Sequence, residues 1–267
     1  MDENNKNNDV QTGNNEREYF AAEEPQATSF GIVQRVLSVF IAPVKLMENI
    51  AENPKILIPL LVIALLMIPS AFFTIEVTAL SREFMDNFIF ERHGLRPSEI
   101  EGAVVMGTGA TIATGLIFGT IMILIAGIIE AFFAWLFCKI VGGKGRFKQY
   151  FSMMMHANIV LISVGIISLI LMGHFGVLTD FLSLAAVLMP RGDMSSFAFN
   201  VLNVTTVGAI WGAVLVFLGI RVFNGFSAGK AGVITGILLF FGILAAAALA
   251  YGSLAMADWS IGQMAGM

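Results

Sequence analysis

Two residues of this chain have types and spacing that suit proton chemistry, and both sit inside long apolar runs. Glu130 lies nine residues before Lys139, and His156 lies eight residues after Lys148. At 1.5 Å per helical residue these are about 13 Å and about 12 Å from the basic stretch between them. If the flanking runs form an antiparallel hairpin, carboxylate and imidazole reach similar depth. A carboxylate near a bilayer centre costs on the order of 3 kcal/mol, so a partner or water is expected. The functional reading is a proton or cation relay through Glu130 and His156. The structural reading is a hydrogen-bonded pair, or a glutamate close enough to the interface to reach water.

The stretch between them, CKIVGGKGRFKQYFSMMMH over 138–156, poses the second chemical question. Its glycines and its basic residues Lys139, Lys144, Arg146 and Lys148 invite comparison with a phosphate-cradling loop. A Walker A motif needs Gly, four residues, then Gly-Lys-Ser/Thr after a strand. Gly143-Lys144-Gly145 has neither that spacing nor the hydroxyl residue, and Gly225 to Ala231 puts alanine where the hydroxyl should stand. The stretch reads instead as a cytoplasmic turn, with glycines bending the chain and basic residues holding it inside. No Gly-x-Ser-x-Gly elbow or His-Glu-x-x-His helix is found, His93, His156 and His174 lack ligand spacing, and Met153 to Met155 suit gap-filling in packed helices. An enzyme, a cofactor and a metal site are therefore not expected.

The elements that must position these residues follow from composition. The chain is 57% apolar and 13% charged, with a mean hydropathy of +0.82, well short of the polar surface a water-soluble domain needs. The single cysteine excludes an internal disulfide, and no basic stripe with interleaved aromatics points to nucleic acid. Residues 1–28 are acidic and asparagine-rich and read as a disordered cytoplasmic tail. Residues 29–256 form the membrane domain, and 257–267 a short external tail. Val33, Val36, Leu37 and Phe40 share a helical face, and a second piece begins at Pro43. This is an amphipathic interfacial helix, with Arg35, Lys45 and Lys55 toward headgroups, or else a helix packed on the spans. Five spans follow at about 56–75, 108–137, 150–172, 201–223 and 232–256, each near the 20 residues a crossing requires. Segment 76–105 reads as an external helical loop near the surface, and the centre of 174–198 as a partial helix. The fold class is an all-α integral membrane bundle.

Charge sets the orientation. With the N-terminus inside, eleven basic residues fall on inner segments (Lys6, Arg17, Arg35, Lys45, Lys55, Lys139, Lys144, Arg146, Lys148, Arg221, Lys230) and four on outer ones (Arg82, Arg92, Arg96, Arg191). The bias places the N-terminus in the cytoplasm and the C-terminus outside. Small residues four apart, at Gly115 and Gly119, Gly208 and Gly212, Gly232 and Gly236, mark expected helix-packing seams. Asn200, Asn203, Thr205 and Thr206 are expected to bond between helices.

Three stretches together resemble the Yip domain family of Ypt-interacting, multi-pass membrane proteins. They are Phe40-Ile-Ala-Pro43 leading to Glu52-Asn-Pro-Lys55, Glu130 with Cys138 to Lys148, and Ile210-Trp211 through Arg221 to Ala231. The resemblance covers about residues 30–250 and implies a five-span bundle with a cytoplasmic N-terminus. Eukaryotic members act in vesicle traffic and bind Rab-type GTPases. The Asp-Leu-x-Gly-Pro stretch they carry before the first span is not found, nor is a proline near Asn158 to Leu161, so GTPase binding is not carried over. The chain is more similar to prokaryotic members of the plasma membrane, some of which accompany ABC-type exporters. The expected function is a non-enzymatic scaffold or adaptor for other membrane proteins or membrane structure, accessory to a transport or export system, with an ABC-type exporter and a second copy of the chain among its candidate partners. The alternative is a small transporter or channel subunit using Glu130 and His156.

Overall fold

The computed structural model describes residues 30–94, 108–189 and 195–265. Every regular element in those residues is helical: α1 (Ile32–Ile41), α2 (Pro43–Glu52), α3 (Leu57–His93), α4 (Thr108–Ile140), α5 (Phe147–Phe175), α6 (Leu184–Leu188), α7 (Phe197–Val204), α8 (Val207–Asn224) and α9 (Ala228–Ala265). Five of them, α3, α4, α5, α8 and α9, are long and apolar enough to cross a bilayer. The expected all-α, five-span architecture is what the chain adopts. The acidic tail over 1–28 lies outside the described residues.

Helix α5 is the central post. It packs on α3, α4 and α8 and also meets α1 and α2, while α9 closes the bundle against α8, α7 and α4. The burial follows this order. In α5 and α8, 39% of the most apolar window is buried, against 11% in α3 and α4 and 17% in α9. The main core joins Leu46, Met47 and Ile50 of α2, Ala131, Ala134 and Cys138 of α4, Tyr150 and Met153 of α5, and Leu215, Ile220 and Phe223 of α8.

Several boundaries differ from those read in the sequence. The helix of the first span does not stop near 75: α3 runs unbroken to His93 with Pro69 inside it. Membrane depth is nonetheless matched, because Ser152 Oγ bonds Lys55 O at one end and Gly173 abuts Glu76 at the other. The segment beyond Glu76, expected as a surface-lying loop helix, continues α3 by about 25 Å past that level at 1.5 Å per residue. Its hydroxyls keep to the helix, Thr78 donating to Thr74 O and Ser81 to Val77 O, a local bond that needs no water. The fourth span divides into α7 and α8 at Thr205-Thr206, where Thr206 bridges to Ser183 and caps α8 by accepting from Ala209 N. The tail expected from 257 is helical through Ala265.

The basic turn is built by its glycines. Gly142 takes φ +84°, a conformation open to glycine. Gly142 N donates to Lys139 O and Gly143 N to Cys138 O, the paired bonds that close a helix C-terminus. Space matters at the next glycine, where a Cβ on Gly143 would lie 2.6 Å from both Asn224 Oδ1 and Cys138 O.

Candidate functional site: the polar clamp and the lipid-facing carboxylate

Helix α1 is amphipathic in the sense opposite to that of a helix on a soluble protein. Ile32, Val33, Leu37 and Ile41 are exposed, while Arg35, Ser38 and Val39 are buried. The apolar face meets lipid and the polar face meets the bundle. Packing on the spans is what the structure shows for this segment, since α1 and α2 meet α5 and α8. Arg35, expected among the headgroups, is 1% exposed.

The buried polar side chains around Arg35 join elements. Arg35 Nη2 donates to Asn53 O at 3.1 Å. Gln149 Nε2 donates to Ala51 O at 2.6 Å, and Gln149 Oε1 accepts from Arg146 N at 2.7 Å. Ser152 Oγ donates to Lys55 O at 2.7 Å. These bonds satisfy carbonyls where α2 ends and the chain turns into α3, and they tie that turn to the first two turns of α5. Trp211 Nε1 donates to Val39 O at 3.0 Å and so joins α8 to α1.

His156 lies one turn deeper in α5 and is fully buried. Its Nδ1 donates to Ser152 O at 2.7 Å. Nε2 then carries the lone pair of a neutral ring, and it has no hydrogen-bond partner among the described residues. Arg35 Nε and Nη1 are equally without one, and the Arg35 charge acts on the His156 ring. Burial lowers the Arg35 pKa from its ordinary value, yet a guanidinium stays charged at neutral pH. Inside this bundle His156 and Arg35 are neighbours, with no hydrogen bond between them among the described residues.

Glu130 is elsewhere. It is exposed on the outer face of α4 beside Ile128, Ile129, Phe132 and Phe133, while the inner face of that helix carries Gly127, Ala131, Ala134 and Cys138. No hydrogen bond or ion pair joins Glu130 to His156, and the hairpin of α4 and α5 forms without bringing them together. The rotation of α4 about its axis turns the carboxylate outward, and the contact of Gly127 with Met155 sets Glu130 about one turn nearer the basic end than His156.

The basic turn is fixed from the other side. Asn224 Oδ1 accepts from Gly145 N and from Tyr150 OH, both at 3.0 Å, and Lys230 Nζ donates to Val141 O at 2.6 Å. These contacts bring the ends of α4 and α8 and the starts of α5 and α9 to one end of the bundle. Lys139, Lys144, Arg146 and Lys148 are exposed there, together with Lys45, Lys55, Arg221 and Lys230.

At the opposite end Asp180 organises the 176–183 turn. It accepts from Ser168 Oγ at 2.5 Å and from Leu182 N at 2.8 Å, and its own N–H donates to Asn203 Oδ1 at 3.0 Å. Asn203 thus bridges elements as expected. Asn200 Nδ2 donates to Ser196 O and Thr205 Oγ1 to Val201 O, and Thr206 Oγ1 accepts from Ala209 N. A cavity of about 370 Å³ lies between α3, α4 and α5, with Asn158, Ser168 and Asp180 among its lining residues.

Of the expected glycine seams, Gly119 and Gly208 are close approaches, where a Cβ would meet Met67 at 2.6 Å and Val164 at 3.1 Å. Gly212 and Gly236 face open space, and Gly232 only touches Phe217 at 4.0 Å. Gly115 falls in α4, but its surroundings lie outside the described residues. Gly219, in the same fourth-span stripe, is tight against Met153, and the tight seam the spacing did not reveal is Gly127 against Met155. A spacing of four identifies a face, not the width of the gap beside it. Among the described residues no group of three His, Cys, Asp or Glu is placed to hold a metal.

The comparisons with known proteins agree with this architecture. The family model for the Yip1 domain matches residues 37–249, from the middle of α1 well into α9. The chain is 28% identical over 215 residues to the membrane protein YknW of Bacillus subtilis (strain 168), covering 78% of this chain and 86% of that protein. No solved structure matches. A match that reaches all five membrane helices and includes the basic turn makes this chain a member of the Yip1 domain family.

Proposed function

We propose that this protein is a non-enzymatic membrane scaffold that holds other membrane proteins in place, as an accessory to a transport or export system. The observation that carries this reading is the use of the buried polar groups. Arg35, Gln149, Ser152, Tyr150 and Asn224 bond helix to turn or helix to helix. That is the pattern of a rigid support, whereas a transport path places polar groups along a route through several spans. The outer surfaces of α3, α4 and α9 supply extended apolar faces on which partner helices can pack. The basic end faces the cytoplasm in this reading, because lysine and arginine are retained there. A relay through Glu130 and His156 loses its support, since the two do not meet.

The test is purification from native membranes in mild detergent, with quantitative identification of what co-elutes. A membrane protein recovered at fixed stoichiometry is the expected result. Recovery of this chain alone, as monomer or homo-oligomer, refutes the scaffold.

A further inference from the structure

Helices α1 and α2 have 10 residues each, about 15 Å at 1.5 Å per residue, which is half of a hydrocarbon core about 30 Å thick. The contacts at Ser152 and Gly173 that bound the membrane depth are about 31 Å apart along α5. Helix α8 runs antiparallel to α5, with Gly219 against Met153 and Gly208 against Val164. Trp211 is therefore level with Leu161, about 13 Å inward from Ser152 and near the middle of the core. Trp211 Nε1 donates to Val39 O, so the end of α1 reaches that depth. Helix α2 then comes back out. Met47 lies against Gly219, at the level of Met153, and Ala51 O is held by Gln149 at the start of α5. Arg35 Nη2 reaches Asn53 O, so α1 begins near the level where α2 ends.

The chemistry of the bend suits apolar surroundings. The helical partner of Val39 O would be the N–H of residue 43, and Pro43 has none. Trp211 supplies the missing donor. Ala42 N donates to Ser38 O and Ala42 O accepts from Leu46 N, so both polar backbone atoms of Ala42 are paired, as hydrocarbon requires. Phe40, Ile41 and Val44 are exposed around the bend, whereas Glu48 and Glu52 are the exposed residues toward the end of α2. Lys45 lies between them, where its long side chain can carry the ammonium out to the headgroups. We propose that α1 and α2 form a re-entrant helix pair that enters the bilayer from the basic end and turns at Ala42-Pro43 near its middle. Its outer face, with Leu37, Phe40, Ile41 and Val44, is a contact surface for the acyl chains of that one leaflet. An amphipathic helix lying in the headgroup plane would instead hold all its exposed apolar residues at one depth. This placement does not depend on the scaffold reading.

The test is spin labelling of Ile32→Cys, Ile41→Cys and Glu48→Cys, each in a Cys138→Ala chain reconstituted in phosphatidylcholine vesicles. All three labelled positions are exposed, so the labels leave the packing intact. Collision with oxygen, which concentrates at the bilayer centre, and with a water-soluble nickel chelate reads the depth of each label. The label at position 41 should lie on the order of 10 Å deeper than those at 32 and 48, with collisions shifted from the chelate to oxygen. Equal depths at all three positions, as in a pair lying flat, overturn the proposal. So does a steady progression from 48 through 41 to 32 across the bilayer, which would make the pair a crossing segment.

Discussion

His156 and Glu130 stand in adjacent helices of one hairpin, and the bundle treats them in opposite ways. The centre, α5 with α8 and the docked α1 and α2, encloses its polar groups and commits many of them to named atoms, while Arg35 Nε and Nη1 and His156 Nε2 have no partner among the described residues. The periphery, α3, α4 and α9, buries little of itself and turns an acid to the lipid. In water such an arrangement would be reversed, since a charge gains from exposure there. In a bilayer the exposed face is the apolar medium, so an outward carboxylate is the more costly placement. Polar groups at the centre hold this molecule together, and the one at the periphery takes no part in that.

This contrast can be broken by substitution. His156→Ala should have the largest effect, because it empties a fully enclosed position beside Arg35. A loss of roughly 3 kcal/mol is expected from the cavity, read as a lower midpoint of thermal unfolding in detergent. A midpoint unchanged within error would remove His156 from the central core. Tyr150→Phe should cost about 1 kcal/mol, since it deletes the hydroxyl bond to Asn224 while Gly145 N still holds that amide. A second expected sign is faster proteolysis at the 141–146 turn. Glu130→Leu should have the smallest effect on the isolated chain, leaving the midpoint unchanged or slightly raised. A fall comparable to that of His156→Ala would show that the carboxylate is part of the internal packing.

The architecture was legible because lipid imposes it. Runs of about 20 apolar residues with charges between them admit few other folds, and the lysine and arginine bias identified the end where the basic turn sits. What composition could not give was the rotation of each helix. In a soluble protein an apolar stripe marks the buried side; here apolar residues cover both sides, so Ile129 outside and Ala131 inside look alike in the sequence. Arg35 was misplaced for the same reason, because the apolar stripe of α1 faces lipid rather than core. The Thr205-Thr206 break lies within one apolar run. Its signal was two adjacent β-branched hydroxyl residues, either suited to cap a helix.

The inverted face of α1 also bears on how the molecule is made. Its buried side has no acceptable environment alone: Arg35 belongs neither in acyl chains nor beside an incomplete bundle, and Val39 O waits for an indole 172 residues further along the chain. Docking of α1 therefore depends on a helix that comes much later in the chain. A chain cut short before Trp211 should leave α1 open to protease, so that helix reports whether α8 is in place.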